Sequence, residues 1–162
     1  MGFSDNTLHP HEEAGGHVKI YFAGSIRGGR NDVQIYQTLI TWLGKYGEVL
    51  TEHVGNPALS IAGDDGPNDR FIHDRDMAWL KSCNIVVAEV TVPSLGVGYE
   101  LGWATALKKS VLCLHRSMET SPLSAMISGS PEIQTASYSS MNEAKDILDN
   151  FITMQKNKGI HP

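Results

Sequence analysis

Val86-Val87-Ala88-Glu89-Val90-Thr91-Val92-Pro93-Ser94-Leu95-Gly96-Val97-Gly98-Tyr99-Glu100-Leu101-Gly102 sets the architecture of this chain. With Ile85 it begins as an apolar run that lacks the polar alternation of a half-exposed strand, the pattern of a strand covered on both faces. Pro93, Ser94 and Gly96 form a turn, and a helix placed at about 98–108 follows, with Glu100 in its first turn. In a parallel sheet this turn lies at the carboxyl edge, where open α/β sheets bind small ligands. A carboxylate there can act as nucleophile or acid in glycosidic bond cleavage; it can also be a charge suited to a helix start.

Outward from this stretch, strand and helix patterns alternate. Lys19–Ala23 reads as a first strand, 31–46 as a helix with three-and-four apolar spacing, and Glu48–Leu50 as a short strand. A helix at 69–82 precedes the central strand. Val111–Leu114 and a short Ile133–Thr135 follow as strands, and a last helix covers about 141–155. The pattern predicts one α/β domain, a doubly wound parallel sheet of five strands with helices on both faces. Residues 1–16 read as a flexible tail, 17–156 as the domain and 157–162 as a C-terminal tail. The loop at 54–68, rich in Gly, Pro, Asn and Asp, is long enough to serve as a lid or substrate loop.

Composition narrows the function classes. The chain has 162 residues, is 41% hydrophobic and 19% charged, and carries a formal net charge of −5. That balance fits a single core and opposes a broad basic surface for polymeric nucleic acid. No apolar run has the length of a membrane span. Cys83 and Cys113 lack metal-ligand spacing and read as buried reduced thiols of a cytoplasmic protein, small enough to enter the nucleus as well. No metal and no cofactor is indicated.

Two further clusters carry chemistry. Gly24-Ser25-Ile26-Arg27-Gly28-Gly29-Arg30 follows the first strand, where glycines permit close backbone approach and the hydroxyl and guanidinium groups add anion donors. It matches neither the P-loop nor the dinucleotide fingerprint, so a single phosphate is the simplest ligand. In Phe71-Ile72-His73-Asp74-Arg75-Asp76-Met77-Ala78-Trp79-Leu80, Asp76 lies one helical turn from Ile72, near the apolar side. A carboxyl so placed can donate a proton to a leaving group, or be a structural partner. His73 and Asp74 read as surface residues.

These stretches, with Tyr21-Phe22-Ala23 ahead of the glycine-rich loop and Thr51-Glu52-His53-Val54, resemble one family in the same order over about residues 18–128. It is the 2′-deoxynucleoside 5′-phosphate N-hydrolases, relatives of the nucleoside 2-deoxyribosyltransferases. The resemblance implies a homodimeric Rossmann-like enzyme that splits deoxynucleoside monophosphates into free base and 2-deoxyribose 5-phosphate. By matching motifs, Glu100 would be the nucleophile that forms a glycosyl-enzyme ester, Asp76 the acid, and Tyr21 the group that positions Glu100. Residues Gly24 to Arg30, with Ser94 and Gly96, would hold the substrate's 5′-phosphate end. Ser124, Ala125 and Met126 would reach into the neighbouring subunit's site. Ser128-Gly129 stands where relatives are expected to carry Arg, and 55–68 is divergent, so base preference stays open. Deoxyribosyl transfer between bases, or a non-catalytic nucleotide-binding module, are the alternatives.

Overall fold

The computed structural model describes residues 18–26, 32–58, 66–117 and 122–159. The expected tail at 1–16, Arg27–Arg30 and the middle of the 54–68 loop lie outside the described residues. Five strands form one sheet: β1 (Val18–Ala23), β2 (Gly47–Val49), β3 (Ile85–Glu89), β4 (Ser110–Arg116) and β5 (Ile133–Tyr138). The order is β2-β1-β3-β4-β5, and every pairing is parallel. Helices α1 (Val33–Leu43), α2 (Asp69–Ser82), α3 (Leu95–Ala106), α4 (Ala125–Ser128) and α5 (Met141–Asn157) join and flank the strands, with a 3-10 turn at Glu52–Gly55. The doubly wound α/β expectation holds.

Strand periodicity sorts the core into two layers. Ile20, Phe22, Ile85, Val87, Leu112 and Leu114 face α1 and α5, where Tyr36, Leu39, Leu148 and Phe151 complete one apolar cluster. Tyr21, Ala23, Val86, Ala88, Val111 and Cys113 face α2 and α3 and pack with Met77, Leu80, Val97 and Leu101. Tyr21 is the polar-tipped member of the second layer, and its ring is almost wholly buried. Because β1 has β2 on one side and β3 on the other, the chain reverses its winding between β1 and β3. The carboxyl ends of those two strands form the crevice in which this topology places ligands.

Element ends differ from the sequence reading in ways that bear on function. The helix expected from about 98 begins at Leu95, because Ser94 takes the N-cap position and accepts a hydrogen bond from the Val97 N–H at 3.4 Å. Glu100 therefore sits in the second helical turn, which removes the reading of Glu100 as a residue placed for the helix dipole. Strand β4 extends to Arg116 and β5 to Tyr138, both longer than the apolar run suggests, since their last residues are polar. The short helix α4 has no counterpart in the sequence reading. The last helix runs to Asn157. Cys83 and Cys113 are both buried and free.

Candidate active site

The site is assembled from three elements. The Tyr21 hydroxyl, at the end of β1, donates to Glu100 Oε1 on α3 at 2.7 Å. The Asp76 side chain on α2 is 20% exposed and adds its charge to the same region. Burial pushes the Glu100 carboxyl up to about 7; the Tyr21 hydrogen bond opposes this, and Asp76 pushes further in the same direction. Burial also drives the Tyr21 hydroxyl far above its ordinary range, with Glu100 adding to the effect, so it remains a donor at any working pH. A carboxylate poised near neutrality against a fixed donor is suited to nucleophilic or acid–base work.

Asp76 is gripped by its neighbour in sequence. Arg75 Nε and Nη2 both donate to Asp76 Oδ1, at 2.9 and 2.7 Å. The guanidinium lies over the Trp79 ring at 4.6 Å and its Nη2 is 3.4 Å from His53 Nε2. His53 in turn packs on Trp79 with ring centroids 5.6 Å apart. Sequence pattern gives Arg75 and His53 no role; contacts across α2 and the 3-10 turn reveal them. His73, exposed as expected, bonds to Asp74 at 3.0 Å and to the Tyr99 hydroxyl at 3.1 Å.

The structure brings Tyr21, Asp76 and Glu100 to one region, with Gly24, Ser25 and Ile26 directly after Tyr21's strand. Gly24 lies against Tyr36, whose ring is 3.1 Å from where a Cβ would stand, so only glycine fits without displacement. Ser25 is fully buried, and among the described residues its Oγ has no hydrogen-bond partner. A buried hydroxyl left without a partner is costly unless something else satisfies it. Ser94 caps α3, and Gly96 is exposed in its first turn. Ser124, Ala125 and Met126 are exposed at the start of α4. Beside them, α3 (Gly98, Leu101, Gly102) and α4 (Ala125, Met126, Ile127) bound a groove of about 440 Å³ that Tyr21, Asp76 and Glu100 do not line. Among the described residues, no cluster of three or more His, Cys, Asp or Glu is arranged to hold a metal, and no helix is long and apolar enough to cross a membrane.

A family model described as nucleoside 2-deoxyribosyltransferase matches residues 20–152, which takes in every strand but the first two residues of β1. The chain belongs to that family. It is 51% identical over 144 residues to 5-hydroxymethyl-dUMP N-hydrolase of Danio rerio, covering 86% of this chain and all of the relative. The Homo sapiens protein of the same name is 45% identical over 140 residues, covering 84% of this chain and 80% of that one. Among solved structures, the Clostridium botulinum CMP N-glycosidase BcmB superposes with a TM-score of 0.57 at 24% identity, covering 81% of this chain and 98% of that one. At that identity the likeness speaks for the fold.

Proposed function

We propose that this chain is an N-glycosidase that hydrolyses 2′-deoxynucleoside 5′-monophosphates to free base and 2-deoxyribose 5-phosphate. The observation that carries the reading is the Tyr21–Glu100 hydrogen bond at the switch point of the sheet, with Asp76 beside it. Glu100 attacks the anomeric carbon as the bond to the base nitrogen breaks, and the bonding electrons leave with the base. Asp76 supplies the proton the base acquires. Asp76 then takes a proton from water as the water oxygen bonds to the anomeric carbon and the ester bond to Glu100 breaks, which regenerates the Glu100 carboxylate and the Asp76 acid and releases the sugar phosphate. Tyr21 holds Glu100 in line for attack.

Gly24 to Arg30, Ser94 and Gly96 take the 5′-phosphate in this reading. The buried Ser25 Oγ, without a partner among the described residues, and the N-cap position of Ser94 support it, since both put donors at the carboxyl edge of the sheet. Phosphate binding anchors the substrate at a distance from the bond that breaks. We also assign the chain a homodimer in which Ser124, Ala125 and Met126 complete the neighbouring site. Leu95, Tyr99 and Trp103 are exposed apolar side chains of α3, and Met126 on α4 is another that lines the groove between those helices; a second copy would cover them. Two buried free thiols fit a cytoplasmic setting.

The family's own name keeps deoxyribosyl transfer between bases as the second reading. Chromatography of reactions with each deoxynucleoside monophosphate, its deoxynucleoside and its ribonucleotide, with and without an acceptor base, separates the two. Base released from the deoxynucleoside monophosphate alone supports hydrolysis. Base exchange on unphosphorylated deoxynucleosides replaces that reading with transfer.

A further inference from the structure

Helix α2 carries arginine–aspartate pairs of two kinds. Arg70 Nε meets Asp74 Oδ2 at 2.7 Å across the usual spacing of four, with side chains 85% and 55% exposed. Such a surface pair contributes little. Arg75 and Asp76 are adjacent in sequence, and their side chains are only 21% and 20% exposed. Neighbouring residues of a helix point roughly 100° apart, so they do not meet unless something turns one side chain toward the other. Here the guanidinium lies over the ring of Trp79, one turn on, at 4.6 Å. Its Nη2 is 3.4 Å from His53 Nε2 on the 3-10 turn after β2, and the His53 ring packs on Trp79 with centroids 5.6 Å apart. Trp79 and His53 thus seat the guanidinium from two elements.

Seated in this way, Arg75 donates from both Nε and Nη2 to a single oxygen, Asp76 Oδ1, at 2.9 and 2.7 Å. Two N–H donors engage both lone pairs of that oxygen, so a proton on the Asp76 carboxyl resides on Oδ2. The same donors fix the plane of the carboxyl group about its last bond. The side chain so fixed is the one whose charge reaches Glu100 and Tyr21. By contrast, the Arg116 Nη1 bond to Asp32 Oδ2, at 2.8 Å, joins the end of β4 to the N-cap of α1.

We propose that Arg75 is a positioning residue that acts through Asp76: it presents Oδ2 as the oxygen that gives and takes the proton, and it holds the carboxylate in place between those two transfers. This rests on the reading of Asp76 as the acid of an N-glycosidase. In the first step Glu100 bonds to the anomeric carbon, the bond to the base nitrogen breaks with its electrons going to the base, and the Oδ2 proton passes to the departing base. Asp76 is then a carboxylate held by the Arg75 guanidinium. In the second step water gives a proton to Oδ2 as its oxygen replaces Glu100 on the anomeric carbon. Arg75 keeps its charge throughout and exchanges no proton. Its effect falls on turnover and not on substrate binding.

The test is a double-mutant cycle on the full chain with Arg75→Met, Asp76→Asn and the two together, with circular dichroism and Tm for the folded state. Values of kcat and KM are measured for base release from the deoxynucleoside monophosphate that the wild type turns over fastest. The expected result for Arg75→Met is a fall in kcat of about tenfold with KM within about threefold. In the Asp76→Asn background the same substitution changes kcat by less than about twofold, because no carboxyl proton is left to position. Unchanged kcat in Arg75→Met, or a rise in KM at constant kcat, overturns the proposal. So does an equal loss in the Asp76→Asn background, the mark of a merely structural role. Should Arg75→Met not fold, Arg75→Lys, which keeps the charge but not the two-donor fork, decides on the same cycle with about a threefold expected loss. Wild-type protein that releases no base from any deoxynucleoside monophosphate overturns the N-glycosidase reading, and the role of Arg75 with it. Near-normal kcat in Asp76→Asn overturns the acid role of Asp76, and the role of Arg75 likewise. With the wild type active and Asp76→Asn impaired, an unaltered Arg75 variant overturns the positioning role alone.

Discussion

The Tyr21 hydroxyl and the Glu100 carboxylate, 79 residues apart in sequence, meet at 2.7 Å where β1 ends and α3 passes. The contact works against burial and against Asp76, both of which push the Glu100 carboxyl upward to about 7. An ionised Glu100 is the competent form of a nucleophile. The rate should therefore rise with pH through an apparent pKa near 7. Glu100→Gln should lower base release by on the order of 10³-fold or more while leaving the far-ultraviolet spectrum intact. A variant with near-normal turnover would remove Glu100 from the nucleophile role.

Tyr21→Phe deletes the interaction that lowers the Glu100 pKa, so the acid limb of the kcat/KM profile should move to higher pH. Loss of rate should be largest at pH 6 and smallest at pH 9, since each unit of displacement costs about tenfold below the limb. A uniform loss across the profile would mean that Tyr21 acts only by geometry.

Asp76→Asn should move the same limb in the other direction, because it deletes a like charge that raises Glu100. On the proposed mechanism the maximal rate should fall as well, by about 10²-fold or more. Opposite displacements in the Tyr21 and Asp76 variants, read by pH-dependent kinetics, are the signature of a shared carboxylate.

Stability should carry the complementary signature. Glu100 titrates higher in the folded chain than its ordinary 4.5, so the folded state holds an extra proton between about 4.5 and 7. Its contribution is present below 4.5 and is lost as pH rises through 7. Glu100→Gln should thus raise Tm by roughly 2–5 °C at pH 8 and leave it unchanged at pH 4.5, measured by scanning calorimetry.

Leu95→Asp tests the assembly. Leu95 is 97% exposed in the first turn of α3, next to Tyr99 and Trp103, so a charge there costs the isolated chain little. Light scattering should show a halved mass, and base release should fall about tenfold or more with the fold retained. A wild-type mass of one chain would remove the proposed dimer, and a variant that keeps the mass of two would remove Leu95 from its contact.

Most of the sheet was legible because its strands are apolar on both faces and its helices keep three-and-four spacing. What escaped had polar residues at its boundaries. Arg116 and Tyr138 end their strands as charged or hydroxyl-bearing residues, so apolar runs could not mark them, yet they carry ladder pairs as regular as any other. The start of α3 was placed late because Gly96 and Gly98 look like a turn; only the Ser94 cap shows that the helix is already under way. Motif alone singles out Tyr21, Asp76 and Glu100, and the structure adds the Tyr21–Glu100 hydrogen bond. The grip of Arg75 on Asp76 and of Arg116 on Asp32 was not legible at all. The first is a contact between adjacent residues that depends on rotamers, and the second spans 84 residues.

The all-parallel ladder also governs how the chain comes to fold. Among the described residues no strand pairs with a hairpin neighbour: β1 meets β2 only after α1 is traversed, and Ile20 waits for Ile85 before its second side is paired. Closing such long loops precedes any gain from the contacts they create, which slows folding relative to local topologies. During synthesis, β1 must remain half-paired until β3 has been made, and Tyr21 finds Glu100 later still. A nascent chain that ends before Glu100 therefore lacks the Tyr21–Glu100 pair altogether.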